Sequence, residues 1–173
     1  PKRYDVEYVR HDGRKGPLSL VDIDVVNDLA LLRLLNPPGY FVELADALPA
    51  HGESIYSIGN PHDLGWTVVP GTYNGIAANS FYERIHFSGS VNPGMSGGPV
   101  LNSEGKVIGV NVATAGNQLS FLVPLNRLAA FIERSSQTEL DIASIDDVIA
   151  DQLRVHQRKV IGTLIRASWG STA

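Results

Sequence analysis

Short segments of alternating apolar and polar residues, separated by turn residues, run through the first 124 positions of the chain. At the start, Tyr4, Val6 and Tyr8 alternate with polar neighbours, which is typical of a half-buried strand. Eight further segments have strand character: "LSLVDIDVV", "LALLRLL", "ESIYSIGNP", "WTVVPGTYNGIA", "ERIHFSGSV", "GPVLN", "KVIGVNVA" and "LSFLVP". The turn residues "NSEG" between the sixth and seventh of these predict a hairpin. Many short strands with few helical periods between them predict an all-β barrel or sandwich.

Helical spacing appears only towards the C-terminus. Apolar residues recur at i, i+3, i+4 and i+7 over 125–134, which predicts a short amphipathic helix. A second helix is predicted from about Ser144, with Asp147 in the manner of a capping box, to about Ala167. Its apolar stripe contains Ile145, Ile149, Leu153, Val160 and Leu164. An exposed stripe of this size is unfavourable, so we expect it to pack on the barrel or on a second copy.

Composition excludes several classes of protein. With 173 residues, 43% apolar and 18% charged, the chain has the profile of one globular domain, alone or with an appendage. The net charge of −4 comes without runs of like charge, so no nucleic-acid partner is predicted. No apolar run approaches the roughly 20 residues of a membrane span. Because there is no cysteine, disulfides and thiolate metal sites are excluded. Neither a metal ion nor a cofactor is predicted.

The stretch "PGMSGGPV" places Ser96 among glycines, and three interpretations compete. Ser96 can simply fill a glycine-rich turn. The pattern G-x-S-x-G also matches the nucleophile elbow of α/β-hydrolases, but an elbow requires a helix after the serine, and two glycines and a proline stand there instead. In the third interpretation the loop presents a nucleophilic hydroxyl beside backbone N–H groups that stabilise a negative oxygen.

The third interpretation is supported by a resemblance in three ordered segments. "GMSGGPVLNSEGKVIGVNVA" resembles the loop and strand–hairpin–strand that carry the nucleophile of trypsin-like serine peptidases. "NDLALLRL" resembles the family's D-[IL]-A-L-L segment, although Asp28 can also be a strand-entry residue that binds local N–H groups. "IGNPHDLG" is similar to the bacterial Do-like, or high-temperature-requirement, branch. The resemblance implies an all-β fold of two six-stranded antiparallel barrels, the first incomplete here, followed by C-terminal helices.

The resemblance also implies residue roles. Ser96 corresponds to the nucleophile, Asp28 to the residue that orients the catalytic histidine, and the N–H groups of Gly94 and Ser96 to the oxyanion hole. The substrate-binding positions it implies are Ser90, Val91, Asn92, Asn111, Val112, Ala113 and Phe121. No acidic residue stands in these segments, so we expect a preference for a small or medium apolar side chain before the cleaved bond.

The sequence departs from the family at its catalytic base. Four histidines follow Asp28, whereas the family's histidine precedes it; His11 does precede Asp28, but in a polar turn that the family does not use for catalysis. The usual spacing places the base just before Pro1, so we expect a chain that begins inside a fold and is inactive alone. Met95 stands where digestive relatives carry an aspartate, so their zymogen switch is not implied. The helical residues 135–173 are too short for the peptide-binding PDZ domain that usually follows in this branch.

These features lead to one functional expectation and one rival. We expect a serine endopeptidase acting on polypeptides through an acyl-enzyme, with the remainder of an N-terminal barrel at 1–48, a C-terminal barrel at 49–134 and a helical tail at 135–173. The rival is a non-catalytic peptide-binding or scaffolding module that keeps the fold. A homo-oligomer, or completion by a missing N-terminal segment, is also expected. The branch implies a periplasmic or secreted location.

Overall fold

The structure is a computed structural model that describes residues 6–37, 39–78, 82–114, 119–136 and 145–169. Within these residues the chain forms nine strands and two α-helices. The strands are β1 (Val6–Val9), β2 (Lys15–Asp24), β3 (Leu29–Leu34), β4 (Ser54–Gly59), β5 (Thr67–Ile76), β6 (Ile85–Phe87), β7 (Pro99–Leu101), β8 (Val107–Thr114) and β9 (Ser120–Pro124). The helices are α1 (Leu125–Ser135) and α2 (Ile145–Trp169). The prediction of a β body followed by helices is confirmed, whereas Ser144, the predicted start of the second helix, lies outside the described residues.

The described residues divide into two compact units. The first contains those of 6–37 together with those from 134 onwards, and the second contains those of 39–133. The sequence set 135–173 apart as a tail, but in the structure the described part of this segment belongs to the same unit as the N-terminal strands. The boundaries after 48 and 134 stay predictions.

The first unit is built on a three-stranded antiparallel sheet in the order β1-β2-β3. A register shift between Leu20 and Asp22 marks a bulge in β2, and the four residues after Leu20 are buried in succession. Asp22 is among them, and its carboxylate accepts hydrogen bonds from the Ser135 hydroxyl at 2.7 Å and from Arg134 at 3.4 Å. Because a buried carboxylate without partners is strongly destabilising, these contacts explain how β2 tolerates it.

Helix α2 contacts the same end of β2 through Gln152. Its side-chain oxygen accepts the Val25 N–H at 2.9 Å, and its side-chain nitrogen donates to the Ile23 carbonyl at 2.9 Å. The apolar stripe predicted for this helix is half-buried at Ile145 and Ile149, whereas Leu153 is 42% exposed. The side chains of its remaining two positions, Val160 and Leu164, lie outside the described part.

The second unit is a closed antiparallel barrel in the order β4-β5-β6-β9-β8-β7. Its interior is filled by completely buried apolar side chains, among them Ile55, Ile85, Phe87, Met95, Val100, Ile108 and Leu122. The predicted hairpin joins β7 to β8, and the Asn102 side chain accepts the N–H groups of Glu104 and Lys106 within it. The barrel holds the serine loop, since the loop connects β6 to β7.

Candidate active site

The loop that carries Ser96 turns directly into a strand. Two of its glycines, Gly94 with φ +95° and Gly97 with φ +82°, adopt the left-handed backbone that other residues resist. After Ser96 the chain continues into β7 at Pro99, and no helix begins there. The nucleophile-elbow interpretation therefore fails on the structure as it did on the sequence.

Gly94 is required by space as well as by its backbone angle. A Cβ atom at this position would lie 2.4 Å from the Asn60 carbonyl oxygen, which is a backbone atom and cannot swing away. The same neighbouring segment donates two hydrogen bonds to the loop, from the Asn60 N–H to the Gly94 carbonyl at 3.4 Å and from the His62 N–H to the Pro93 carbonyl at 3.1 Å. The residues after β4 thus hold the first half of the serine loop.

Strand β8 holds the second half of the loop, mainly through Asn111. The Asn111 carbonyl accepts the Gly97 N–H at 2.9 Å, and the Asn111 N–H donates to the Gly98 carbonyl at 2.9 Å. Its side-chain Nδ2 donates to the Met95 carbonyl at 3.2 Å, and its Oδ1 accepts the Ser57 hydroxyl at 3.0 Å. The resemblance assigns Asn111 to substrate binding, and its side chain is 1% exposed and engaged inside the barrel. Any contact between Asn111 and a substrate is therefore limited to the backbone, and that contact stays a prediction.

Ser96 itself is exposed, and its hydroxyl donates to the Val112 carbonyl at 3.2 Å. A register shift between Asn111 and Ala113 leaves Val112 as the extra residue of a bulge in β8. In the described part of the chain, the N–H groups of Gly94 and Ser96 donate to no backbone carbonyl. The loop therefore presents one exposed hydroxyl, together with two N–H groups that donate to no backbone carbonyl among the described residues.

The other positions that the resemblance assigns to substrate binding differ in exposure. Ser90 and Asn92 are exposed, whereas Val91 is 4% exposed and belongs to the hydrophobic core. Phe121 is half-buried, with its ring centroid 6.4 Å from that of His86. The side chain of Ala113 lies outside the described residues. The pocket assignment stays a prediction at these positions.

Sequence reasoning missed two buried serines that support this region. Ser120, which is completely buried, accepts the Val91 N–H at 3.3 Å and donates to the Gly89 carbonyl at 2.7 Å. Ser57 lies on the same face of β4 as the buried Ile55. Ser57 occupies an inward-facing position in the alternation of its predicted strand, and a buried hydroxyl requires a hydrogen-bond partner. This combination could have identified Ser57 from the sequence.

Asp28 lies in the first unit, in the turn between β2 and β3. It is exposed and has a φ of 61°. Within the described residues no hydrogen bond reaches its carboxylate; Asp24 instead accepts the Asn27 N–H at 3.0 Å and the Asn27 side chain at 2.9 Å. The purely local role considered for Asp28 is thus performed by Asp24, which leaves the Asp28 carboxylate without a local structural role.

The described segments contain no group of three or more histidine, cysteine or acidic side chains placed to hold a metal ion. None of the helices in these segments is long and apolar enough to cross a membrane.

Comparison of the sequence with those of known proteins identifies relatives of this chain. Residues 2–110 match the sequence profile of the trypsin-like peptidase domain. A probable periplasmic serine endoprotease DegP-like of Chlamydia pneumoniae is 33% identical over 142 residues, which cover 73% of this chain and 29% of the relative. The periplasmic serine endoprotease DegP of Escherichia coli K12 is 33% identical over 127 residues, which cover 66% and 27%. The chain thus spans less than a third of the length of these relatives.

Solved structures give the same result at the level of the fold. The serine endoprotease from Yersinia pestis superposes with a TM-score of 0.67 at 26% identity, covering 76% of this chain and 48% of the other. The HtrA-type protease AlgW with decapeptide superposes with a TM-score of 0.67 at 26% identity, covering 77% and 44%. These matches confirm the trypsin-like fold and its Do-like branch. The chain belongs to the family of trypsin-like serine peptidases, with DegP and HtrA proteins as relatives.

Proposed function

We propose that this chain carries the nucleophile of a serine endopeptidase, with Ser96 as the attacking residue. The observation that carries the proposal is the exposed Ser96 hydroxyl in a loop whose Gly94 and Ser96 N–H groups donate to no backbone carbonyl of the described residues. An exposed serine in an ordinary turn does not need two such donors in its own loop. Acyl transfer does need such donors, because its tetrahedral intermediate carries a negative oxygen.

The reaction follows from this arrangement. The Ser96 oxygen attacks the peptide carbonyl, a base removes its proton, and the carbonyl oxygen becomes negative between the N–H groups of Gly94 and Ser96. The intermediate then collapses: the peptide C–N bond breaks, the amine leaves with the proton from the base, and water releases the acyl group by the reverse steps. In the free protein the hydroxyl donates to Val112, so a base must compete with that carbonyl for the proton.

The base is proposed to be a histidine oriented by Asp28. The Asp28 carboxylate is exposed and accepts no hydrogen bond from the described residues, which supports this role, since Asp24 already satisfies the local backbone. None of the five histidines of the sequence stands at the family's position before Asp28. We therefore expect the 173-residue chain alone to be essentially inactive, because the oxyanion hole without a base leaves only a small part of the catalysis.

The test is covalent labelling by a fluorophosphonate probe together with hydrolysis of a peptide library. The full-length gene product should be labelled and should cleave peptides, and Ser96→Ala should abolish both. Ser103→Ala, in the exposed β7–β8 hairpin, is the matched control and should change neither. Labelling that survives Ser96→Ala would overturn the proposal. Strong labelling of the 173-residue chain would instead show that one of its own histidines, His11 first, is the base.

The rival function is a non-catalytic peptide-binding or scaffolding module. The observation that favours it is the Ser96 hydroxyl directed at a backbone carbonyl in a sequence without a histidine at the expected position. In that case the full-length gene product should bind peptides with micromolar or better affinity by calorimetry, yet it should remain unlabelled. The same preparation therefore distinguishes the two functions.

Specificity is proposed to favour a small or medium apolar side chain before the cleaved bond. The half-buried apolar side chain of Phe121 supports this, and Ser90 offers an exposed position for the test. Ser90→Asp should shift selection towards lysine and arginine, because the added carboxylate requires a positive partner. Ser90→Asn, of equal size but uncharged, should leave the peptide-library profile unchanged. A profile of the unmodified protein dominated by lysine and arginine would contradict this pocket.

Location and substrate are proposed from the relatives. The DegP proteins of Escherichia coli and Chlamydia pneumoniae are named periplasmic, and one neighbour is named with a decapeptide. We accordingly propose an exported protein that acts on polypeptides and assembles as a homo-oligomer. Cell fractionation with an antibody to this chain, followed by size-exclusion chromatography with light scattering, tests both statements.

A further inference from the structure

The Met95–Ser96 peptide lies between the barrel interior and the site. The Met95 carbonyl points inward, where it accepts the Gly98 N–H at 3.0 Å and the Asn111 Nδ2 at 3.2 Å. All peptide bonds in the described residues are trans, so the N–H of a peptide points opposite to its carbonyl. The inward carbonyl therefore directs the Ser96 N–H outward, on the side where the proposed oxyanion hole lies.

Asn111 is well placed to determine this orientation. The Met95 carbonyl can only accept, so the Asn111 amide must face it with its nitrogen. That leaves the Asn111 oxygen towards Ser57, whose hydroxyl donates to it at 3.0 Å. Ser57 and Asn111 are 0% and 1% exposed, and no buried polar side-chain atom in the described part of the chain lacks a partner. The amide therefore has one satisfied orientation.

We propose that Asn111, supported by Ser57, is a positioning residue that fixes the Met95–Ser96 peptide with the Ser96 N–H directed at the substrate oxygen. The inference rests on the proposed function and deepens it, because it states what forms the oxyanion hole before a substrate binds. Neither side chain touches the substrate; both act through the peptide. An oxyanion donor that is already oriented contributes most in the transition state, where the negative oxygen develops.

The decisive variant is Asn111→Asp, which keeps the size of the side chain and the acceptor for Ser57. It removes the N–H donor and places a carboxylate oxygen against the Met95 carbonyl. The two oxygens repel, so the peptide should rotate and turn the Ser96 N–H inward. In the full-length gene product kcat should fall about 10²–10³-fold, as for the loss of one oxyanion donor, while KM changes less than about threefold.

Two variants separate this effect from a loss of folding. Asn111→Leu keeps the size without adding charge, and kcat should fall about tenfold or more. Ser57→Ala leaves the Asn111 donor in place but removes its anchor, so kcat should fall about 2- to 12-fold, the range for one lost hydrogen bond. Asn102→Asp is the matched control: the same substitution in the β7–β8 hairpin, where the side chain acts only as an acceptor, should leave kcat unchanged.

Amide hydrogen exchange on the 173-residue chain gives a readout that does not depend on activity. The Gly98 N–H donates to the Met95 carbonyl, whereas the Gly97 N–H donates to Asn111 and the Asn111 N–H to Gly98. If the peptide rotates in Asn111→Asp, exchange should accelerate at Gly98 and remain slow at Gly97 and Asn111. Equal acceleration at all three amides, or an unchanged kcat in Asn111→Asp, would overturn the inference. Hydrolysis that survives Ser96→Ala would overturn the proposed function instead, and Gly98 exchange would still decide the orientation of the peptide.

Discussion

At the level of single residues, an added Cβ atom would have different consequences at two glycines of the serine loop. Gly94 and Gly97 both have positive φ values, yet a Cβ at Gly94 would meet the Asn60 backbone, whereas a Cβ at Gly97 would meet nothing within 4 Å. A comparison of substitutions at the two glycines therefore separates the energetic cost of the positive φ from the cost of the steric clash with Asn60. That separation makes the geometry of the loop testable.

Gly94→Ala should inactivate the full-length gene product, and Gly97→Ala should not. Both substitutions cost about 1–2 kcal/mol because of the left-handed backbone. Only Gly94→Ala must also displace the loop from Asn60, which moves the Gly94 N–H, and a lost oxyanion donor lowers the rate about 10²–10³-fold. The measurements are the rate of fluorophosphonate labelling and the midpoint of urea unfolding. Equal labelling of the two variants would contradict the close-approach argument.

A second residue-scale prediction concerns pH and the turn between β1 and β2. The side chain and backbone N–H of Arg14 donate to Asp12 at 2.7 and 3.1 Å and lower the pKa of Asp12 from 3.8 to about 2. Since the pKa is lower in the folded state, this contact contributes stability above about pH 4 and loses it as the pH falls through 2. In an NMR titration, Arg14→Gln should raise the pKa of Asp12 towards 3.8, and Arg10→Gln should raise it less. A value near 2 in Arg14→Gln would contradict this account.

At the scale of elements, Gln152 provides a described hydrogen-bonded connection between helix α2 and the end of β2. Gln152 satisfies the Val25 N–H and the Ile23 carbonyl, two groups at the point where β2 ends and the turn with Asp28 begins. The apolar contribution of the helix is modest over its described side chains, since Leu153 and Val155 are 42% and 45% exposed. The polar contact is therefore an important part of the attachment within this unit.

Gln152→Ala should lower the free energy of unfolding by about 1–3 kcal/mol, because the partly buried Val25 N–H loses its partner and the Ile23 carbonyl keeps the longer contact from Arg134 at 3.4 Å. Gln157→Ala, the same substitution at an exposed position of α2, should change it by less than about 0.5 kcal/mol. Urea denaturation followed by circular dichroism measures both. A loss no larger for Gln152→Ala than for Gln157→Ala would show that α2 is attached by other contacts.

The two compact units differ in whether their sheets have strands that are paired on one side only. The six strands of the second unit close on each other, so each strand is paired on both sides and the interior is fully buried. The three strands of the first unit form an open sheet whose edges are β1 and β3, and most of β1 is exposed. Protection against local opening should follow this difference.

Hydrogen exchange measured by mass spectrometry on the 173-residue chain should be slowest in β4, β8 and β9 and fastest in β1. Barrel amides open only when a closed hydrogen-bonded ring is broken, whereas β1 can separate from β2 by itself. Urea below the unfolding midpoint should widen the gap between the two sets. Protection of β1 equal to that of β4 would contradict the prediction.

The secondary-structure elements and the candidate nucleophile could be predicted from local sequence patterns and the family resemblance. Strand positions were predictable because alternation with period two is a local property, and every predicted strand with described residues is present within a few positions. Ser96 was singled out because the residues around it resemble the nucleophile loop of trypsin-like peptidases, and its role as the nucleophile stays a prediction. The positive φ of Gly94 also agrees with its residue type, because glycine adopts a left-handed backbone without steric cost.

The contacts that support these residues became evident from the three-dimensional arrangement of the strands. Ser57 and Asn111 are 54 positions apart, and the closure of the barrel brings β4 and β8 to either side of the serine loop. Asp24, rather than Asp28, was found to serve the local backbone, because that choice depends on how the turn after β2 is shaped. A local pattern states which groups are polar or inward. Which partner satisfies a buried polar group is set by strand pairing between distant segments, and the sequence carries no local signal for that choice.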